Sequence, residues 1–405
     1  MLGKIRGMHQ RRHFLYITFA DFLVRSAYQM GKTPLLPVFA LALGASEAFL
    51  GFIVSVSTLT GMLFKPLFGV LSDRGGRRRW LVIGTAFFAV MPFTYWLVET
   101  PAQLFFIRIV HGTATAIYGP VTLAYVAEQA PARRAEKLGW FGTARSAGYI
   151  VGPAAAGWLL LSLQPAAVFT VIGFISSLAF LPVLALADNG RVPPTLARAP
   201  LRQQMRTALQ KGSRTGAVWL SGGLEAISYI VLYATKAFLP VYALQAGMSI
   251  ALVGLFFAFQ EAAHLLLRPL GGRLGDRWRY FGAIALGMAL LGAALPLLSH
   301  VSGGPAFSAL AVVTGAAQAL IFPATVALVS AHIDADNLGA GMGIIGTLRN
   351  AGKVLGPVLG GLFIEWFDFA VTFNGLGLAL LVGALLVAYY GLRPRTPRRA
   401  PVPTD

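Results

Sequence analysis

Lys65-Pro66-Leu67-Phe68-Gly69-Val70-Leu71-Ser72-Asp73-Arg74 returns about two hundred residues later as Arg268-Pro269-Leu270-Gly271-Gly272-Arg273-Leu274-Gly275-Asp276-Arg277. Each copy closes an apolar run and opens a basic loop. A phrase repeated at this distance marks an internal duplication, so the chain reads as two related halves. The likeness extends outward from the phrase. Leu36-Pro37-Val38-Phe39-Ala40 matches Leu239-Pro240-Val241-Tyr242-Ala243, and Gly44 matches Gly247. Gly142-Thr143-Ala144-Arg145 with Gly148 and Gly152-Pro153 matches Gly346-Thr347-Leu348-Arg349 with Gly352 and Gly356-Pro357.

Of the 405 residues, 56% are hydrophobic and only 12% charged, which excludes a soluble globular domain. A helix needs about 20 apolar residues to cross a bilayer. Segments of that size lie near 14–41, 47–71, 80–99, 102–127, 137–160, 165–187, 216–243, 249–272, 280–300, 305–331, 340–363 and 368–392. The expected fold is an all-α integral membrane protein of twelve transmembrane helices in two pseudo-symmetric six-helix bundles. Residues 1–187 form the first bundle, 188–215 a cytoplasmic linker and 216–405 the second bundle with a short basic tail. Six spans per half keep the halves in one orientation, as parallel repeats. The first apolar stretch is long, lacks a small-residue cleavage site and feeds a second span, so no signal peptide is expected.

The net charge of +18 raises the question of nucleic acid. The bases, however, are dispersed over separate loops: Lys4 to Arg12, Arg74 to Arg79, Arg133 to Lys137, Arg191 to Arg214, Arg273 to Arg279 and Arg393 to Arg399. Dispersed tracts make no continuous groove, so no nucleic-acid partner is expected. The opposite loops carry Glu47, Glu99, Glu365 and Asp368 without a base, the positive-inside pattern that places both termini in the cytoplasm of a plasma (inner) membrane protein. The loop with Asp334 and Asp336 departs from it. The linker's bases suit acidic headgroups, making membrane lipid a partner.

Cysteine is absent and the six histidines show no metal-ligand spacing, so neither metal, cofactor nor enzyme activity is expected. Gly31-Lys32-Thr33 resembles the end of a phosphate loop, but Ser26 replaces its leading glycine and the segment lies in a span. A membrane sensor would need a signalling domain, for which the short tails and linker leave no room.

These residues resemble the major facilitator superfamily over essentially the full chain. Gly69 to Arg78 is similar to its signature between the second and third helices. Arg108-Ile109-Val110-His111-Gly112 is similar to a motif of proton-coupled members, with His111 where glutamine is usual, and Gly148 to Pro153 resembles an antiporter motif. The resemblance implies a secondary transporter of the twelve-span drug/proton antiporter type, acting as a monomer on a small molecule and protons. It also implies a cytoplasmic gate of Gly69, Asp73, Arg74, Arg77 and Arg78, with Asp73 and Arg77 as latch and Arg74 and Arg78 facing water or lipid phosphate. Glu128 is a further latch partner, and Gly272, Asp276 and Arg277 form the second copy. Gly148, Gly152 and Pro153, with Gly352, Gly356 and Pro357, are either hinges or packing points.

Ionisable residues inside spans are expensive and mark function. Asp21, Arg25, Tyr28, Gln29 and Lys32 fall within about 100° on one helix face. Glu225, Tyr229, Tyr233 and Lys236 repeat the device with the same acid-to-lysine spacing, although one register change separates this match from the Leu-Pro match. The second half alone adds Gln260, Glu261, His264 and Arg268, where the first has Thr58, Gly61 and Lys65. Arg108, His111, Thr115, Tyr118 and Thr122 make another stripe, joined by Arg145, Arg349 and Lys353. Asp21, Glu225, Glu261 with His264, and Arg108 as a tuner, are the candidates for proton coupling; Asp21 can equally form a fixed pair with Arg25. The other stripe residues line the expected cavity. Two functions remain open: proton-coupled efflux of an apolar or amphipathic compound, and transport of an anionic metabolite or amphipathic lipid, favoured by the excess of intramembrane bases.

Overall fold

The computed structural model describes residues 2–129, 133–187, 215–278, 280–301, 303–333 and 335–392. The expected linker and both loop aspartates' side chains lie outside the described residues, as do the C-terminal bases. Among the described residues there are helices and no strands. In chain order these are α1 (Leu2–Lys32), α2 (Leu35–Ala42), α3 (Glu47–Gly75), α4 (Arg77–Val90) with a 3₁₀ turn (Met91–Leu97), α5 (Pro101–Gln129), α6 (Arg134–Leu159), α7 (Pro165–Leu178) and α8 (Phe180–Leu184). After the linker come α9 (Gly216–Gln245), α10 (Ile250–Arg277), α11 (Phe281–Leu298), α12 (Gly304–Ser330), α13 (Ala335–Trp366) and α14 (Phe369–Leu392).

Local chemistry sets the helix ends. Ser46 caps α3 by accepting a hydrogen bond from the Phe49 amide at 3.4 Å, and Glu47 places negative charge in the first turn. Gly44 (φ 81°) and Gly247 (φ 72°) stop α2 and α9 in the left-handed conformation. Each stop has the same two bonds, Gly44 N–H to Leu41 O and Ala45 N–H to Ala40 O, then Gly247 N–H to Leu244 O and Met248 N–H to Ala243 O. The sequence match at these glycines is a match of helix stops.

The segment expected as one helix over 14–41 is broken, with α1 ending at Lys32 and α2 beginning at Leu35. Pro34 lacks an N–H and cannot continue the ladder. The same break explains the register change: three residues separate Lys32 from Leu36, but two separate Lys236 from Leu239. The extra residue is absorbed where α1 gives way to α2, and α9 runs unbroken past its own Pro240.

Nine of the described helical segments are long and apolar enough to cross a membrane. The helices α1, α6 and α13, with 31, 26 and 32 residues, are comparably long. Polarity is inverted relative to a soluble protein. Asp21, Arg108 and Glu225 are at most 1% exposed, whereas Leu266 and Leu385 are 74% and 72% exposed. A surface of this kind belongs in hydrocarbon, and the polar groups gather inside.

Helix α1 packs on α6 in the first half of the chain, and α9 packs on α13 in the second. Across the halves α3 lies on α13 and α6 on α10. These crossings are backbone-close at glycine: a Cβ on Gly51 would lie 2.2 Å from Pro357 O, and one on Gly254 would lie 2.4 Å from Pro153 O. Small residues permit such approach. Ser55 Oγ donates to Val354 O at 2.7 Å and the Ala48 amide donates to Glu365 at 2.9 Å. All of these contacts fall in the part of the bundle nearer the Gly44 and Gly247 turns, opposite the basic Gly76 turn.

Candidate functional site

Asp21 of α1 and Glu225 of α9 are both held by arginine. Arg145 of α6 grips Asp21 in a fork, Nε to Oδ2 at 2.9 Å and Nη2 to Oδ1 at 2.8 Å, and the same Nη2 donates to Thr122 of α5 at 3.0 Å. Arg349 of α13 donates from Nε to Glu225 Oε2 at 2.6 Å, while Thr325 of α12 donates to Oε1 at 2.7 Å. Each half thus contains one carboxylate–arginine–threonine clamp spanning three helices. Arg25, the partner expected for Asp21, stands farther off at 3.8 Å. Forked arginine–carboxylate pairing is strong and directional, so Asp21 is fully compensated within its own half.

The polar faces of α1 and α9 meet between the halves. Lys32 donates to Thr58 at 3.2 Å and its Nζ lies 4.9 Å from the Tyr233 ring centroid. Lys236 and Lys353 reach the same ring at 5.5 and 5.6 Å, and Lys353 lies 4.7 Å from Tyr229. Tyr229 in turn stacks on Phe322 with centroids 4.6 Å apart. On α10 Glu261 Oε1 is 3.6 Å from His264 Nδ1, and it sits within electrostatic reach of Lys236 and Lys353. Gln260 beside it is buried, its carbonyl pressed against Gly315. Tyr229, Tyr233, Lys32, Lys236, Lys353 and Glu261 therefore gather in one cluster between the halves.

Other candidates point elsewhere. Arg108 is buried in the first half, donating to Ser57 Oγ at 2.5 Å and to Tyr95 OH at 3.4 Å. No carboxylate stands within ion-pair distance of it among the described residues. His111 Nδ1 pairs with Tyr95 OH at 3.2 Å, and the His111 ring meets Tyr28 and Phe88 edge-on. Tyr118 is wholly buried against Phe88, and Gln29 is buried where α1 meets Gly152. Arg268 is exposed.

At the basic end, Arg77 joins three groups: it pairs with Asp73, donates to Glu128 at 3.0 Å and to Ser72 at 2.6 Å. The expected latch residues are thus wired together across α3, α4 and α5. Arg78 departs from expectation. Instead of facing water it donates to the Leu184 carbonyl at 2.7 Å, satisfying an orphan carbonyl at the end of α8. In the second copy Asp276 and Arg277 are exposed. Gly69 and Gly272 have open space beside their Cα atoms, so close approach is not their role here.

Gly148 and Gly152 press on α1, where a Cβ would come within 3.0 Å of the Ser26 amide and 2.7 Å of Gln29 Cβ. Gly352 and Gly356 press on α9, with 2.4 Å to the carbonyls of Ala226 and Ile230. Helices α6 and α13 continue through Pro153 and Pro357. In this arrangement these glycines are packing points.

Sequence reading missed Thr325, Ser57 and Tyr95. Thr325 could have been found from Thr122 through the repeat. Tyr95 and Ser57 carry no signal, because their importance comes from where Arg108 points.

The family model described as Major Facilitator Superfamily matches residues 17–259 and 223–405. Multidrug resistance protein 1 of Bacillus subtilis is 26% identical over 86% of this chain and 90% of its own length. Multidrug resistance protein MdtG of Proteus mirabilis is 24% identical over 98% and 99%. Among solved structures, the nucleoside transporter NupG superposes with a TM-score of 0.81 over 94% of this chain and 100% of its own, at 13% identity. That likeness is one of fold.

Proposed function

Because the chain belongs to the Major Facilitator Superfamily, a family of multi-pass membrane transporters, we propose that it exports small amphipathic molecules by alternating access, coupled to protons through Glu261. The observation that carries this reading is the cluster between the halves, taken as the lining of a shared chamber, where Glu261 beside His264 lies within electrostatic reach of Lys236 and Lys353 from two other helices. A carboxylate there alternates between cationic and apolar surroundings as the halves rock, and such alternation loads and unloads a proton. Asp21 and Glu225 act instead as fixed struts, since each is compensated inside its own half. Export follows the relatives, whose names record multidrug resistance.

The reading includes twelve spans in two rocking bundles, termini in the cytoplasm of the plasma membrane, and a monomer. With that orientation the glycine-tight contacts lie on the outer side, which supports an inward-facing state. The Asp73–Arg77–Glu128 cluster is the part of the cytoplasmic latch that stays assembled within one half, and the contacts of Pro153 with Gly254 and of Pro357 with Gly51 are the surfaces on which the bundles roll.

In proteoliposomes with a trapped pH indicator, an exported amphipathic dye should move protons, and Glu261→Gln should abolish that movement while retaining dye binding. Full proton movement in Glu261→Gln would sink the coupling role. Transport of an anionic metabolite or lipid is the second reading, favoured by the chamber's excess of cations.

A further inference from the structure

Lys32, Lys236 and Lys353 all lie within 5.6 Å of the Tyr233 ring centroid, so three lysine side-chain nitrogens share a sphere of that radius. They come from α1, α9 and α13, helices of both halves. Among the described residues no carboxylate stands within ion-pair distance of any of them. Arg145 and Arg349 have each consumed a carboxylate elsewhere, and the remaining one, Glu261, is 3.6 Å from His264. What these groups touch is the Tyr28, Tyr229 and Tyr233 rings and the Thr58 hydroxyl. A fixed structural role would give these lysines permanent partners, as the arginines have. A ring face is a weak partner, worth about a tenfold factor or less at a hydrated site, and easily exchanged for an anion.

We infer that the chamber takes an amphipathic organic anion, its negative group among Lys32, Lys236 and Lys353 and its flat apolar body on the Tyr229–Phe322 stack. The anion draws the ammonium groups off the tyrosine faces and thereby frees those faces for the ring of the cargo. A cationic cargo would meet three like charges against one carboxylate. The inference rests on the alternating-access reading.

Fluorescein and rhodamine 6G share a xanthene ring and carry opposite charge, which makes them a matched pair of probes. With the purified full chain in a non-ionic detergent, fluorescence polarisation should show fluorescein binding at least about tenfold tighter than rhodamine 6G. Each of Lys32→Gln, Lys236→Gln and Lys353→Gln should weaken fluorescein by about tenfold, the range of one charge-assisted hydrogen bond, with rhodamine unchanged or tighter. The corresponding arginine variants should restore binding, and unaltered thermal midpoints would show that the glutamine variants are folded. Preference for rhodamine, equal binding, or binding of neither overturns the inference. Rhodamine transport without fluorescein binding would overturn it while leaving the transporter reading intact.

Discussion

Replacing Asp21 with asparagine tests whether the buried clamps are struts. Asp21 is 1% exposed and takes two bonds of 2.8 and 2.9 Å from Arg145, which is itself 19% exposed. Removing one charge of a buried pair strands the other, at about 3–5 kcal/mol. Asparagine keeps one acceptor, and Arg145 keeps Thr122 and the Phe141 ring at 4.7 Å, so the low end, about 3 kcal/mol, is expected. For a half-chain of this size that is roughly a 6–12 °C fall in thermal midpoint by soluble-domain calibration. Glu225→Gln should cost less, about 2 kcal/mol, because Arg349 offers one bond and is 30% exposed. The assay is thermal unfolding of the purified protein, with Arg145→Gln alone and combined with Asp21→Asn. A strut predicts strong non-additivity, the double variant losing little beyond Asp21→Asn, with a coupling of about 2 kcal/mol. Proton movement by the folded fraction should persist. Should Asp21→Asn leave the midpoint unchanged and abolish proton movement, the carboxylate is a carrier and the strut assignment is wrong.

Two further outcomes are expected from the packing and the gate. A leucine at Gly254 or Gly51 would drive a side chain into the carbonyl of Pro153 or Pro357, so the halves cannot close at that end; transport should fall at least tenfold, and paired cysteines placed across α6 and α10 should crosslink less than in the parent. Arg77→Ala removes bonds to Asp73, Glu128 and Ser72 and should lower the transport rate by about tenfold, the scale of a lost charge-assisted bond, whereas Arg277→Ala, at an exposed position, should change it less than twofold. Equal effects of the two arginine variants in vesicle uptake would remove the distinction between the repeated motifs.

The sequence by itself determined the membrane class, the helix order and the duplication, because hydropathy and a repeated phrase are properties of the chain taken locally. It also marked the stripe from Asp21 to Lys32, since helical periodicity follows from spacing alone. What it left open was which charge faces which. Asp21 has Arg25 one turn away in sequence, yet its partner is Arg145, brought from 124 residues off by the packing of α1 on α6. Arg108 reads as a tuner of carboxylates and turns instead to Ser57 and Tyr95. Glycines that suit hinges prove to be contact points because another helix lies on them. Spacing fixes the face a side chain occupies; only the neighbouring helix, placed by the tertiary fold, decides whether that charge is already answered or is left for a ligand.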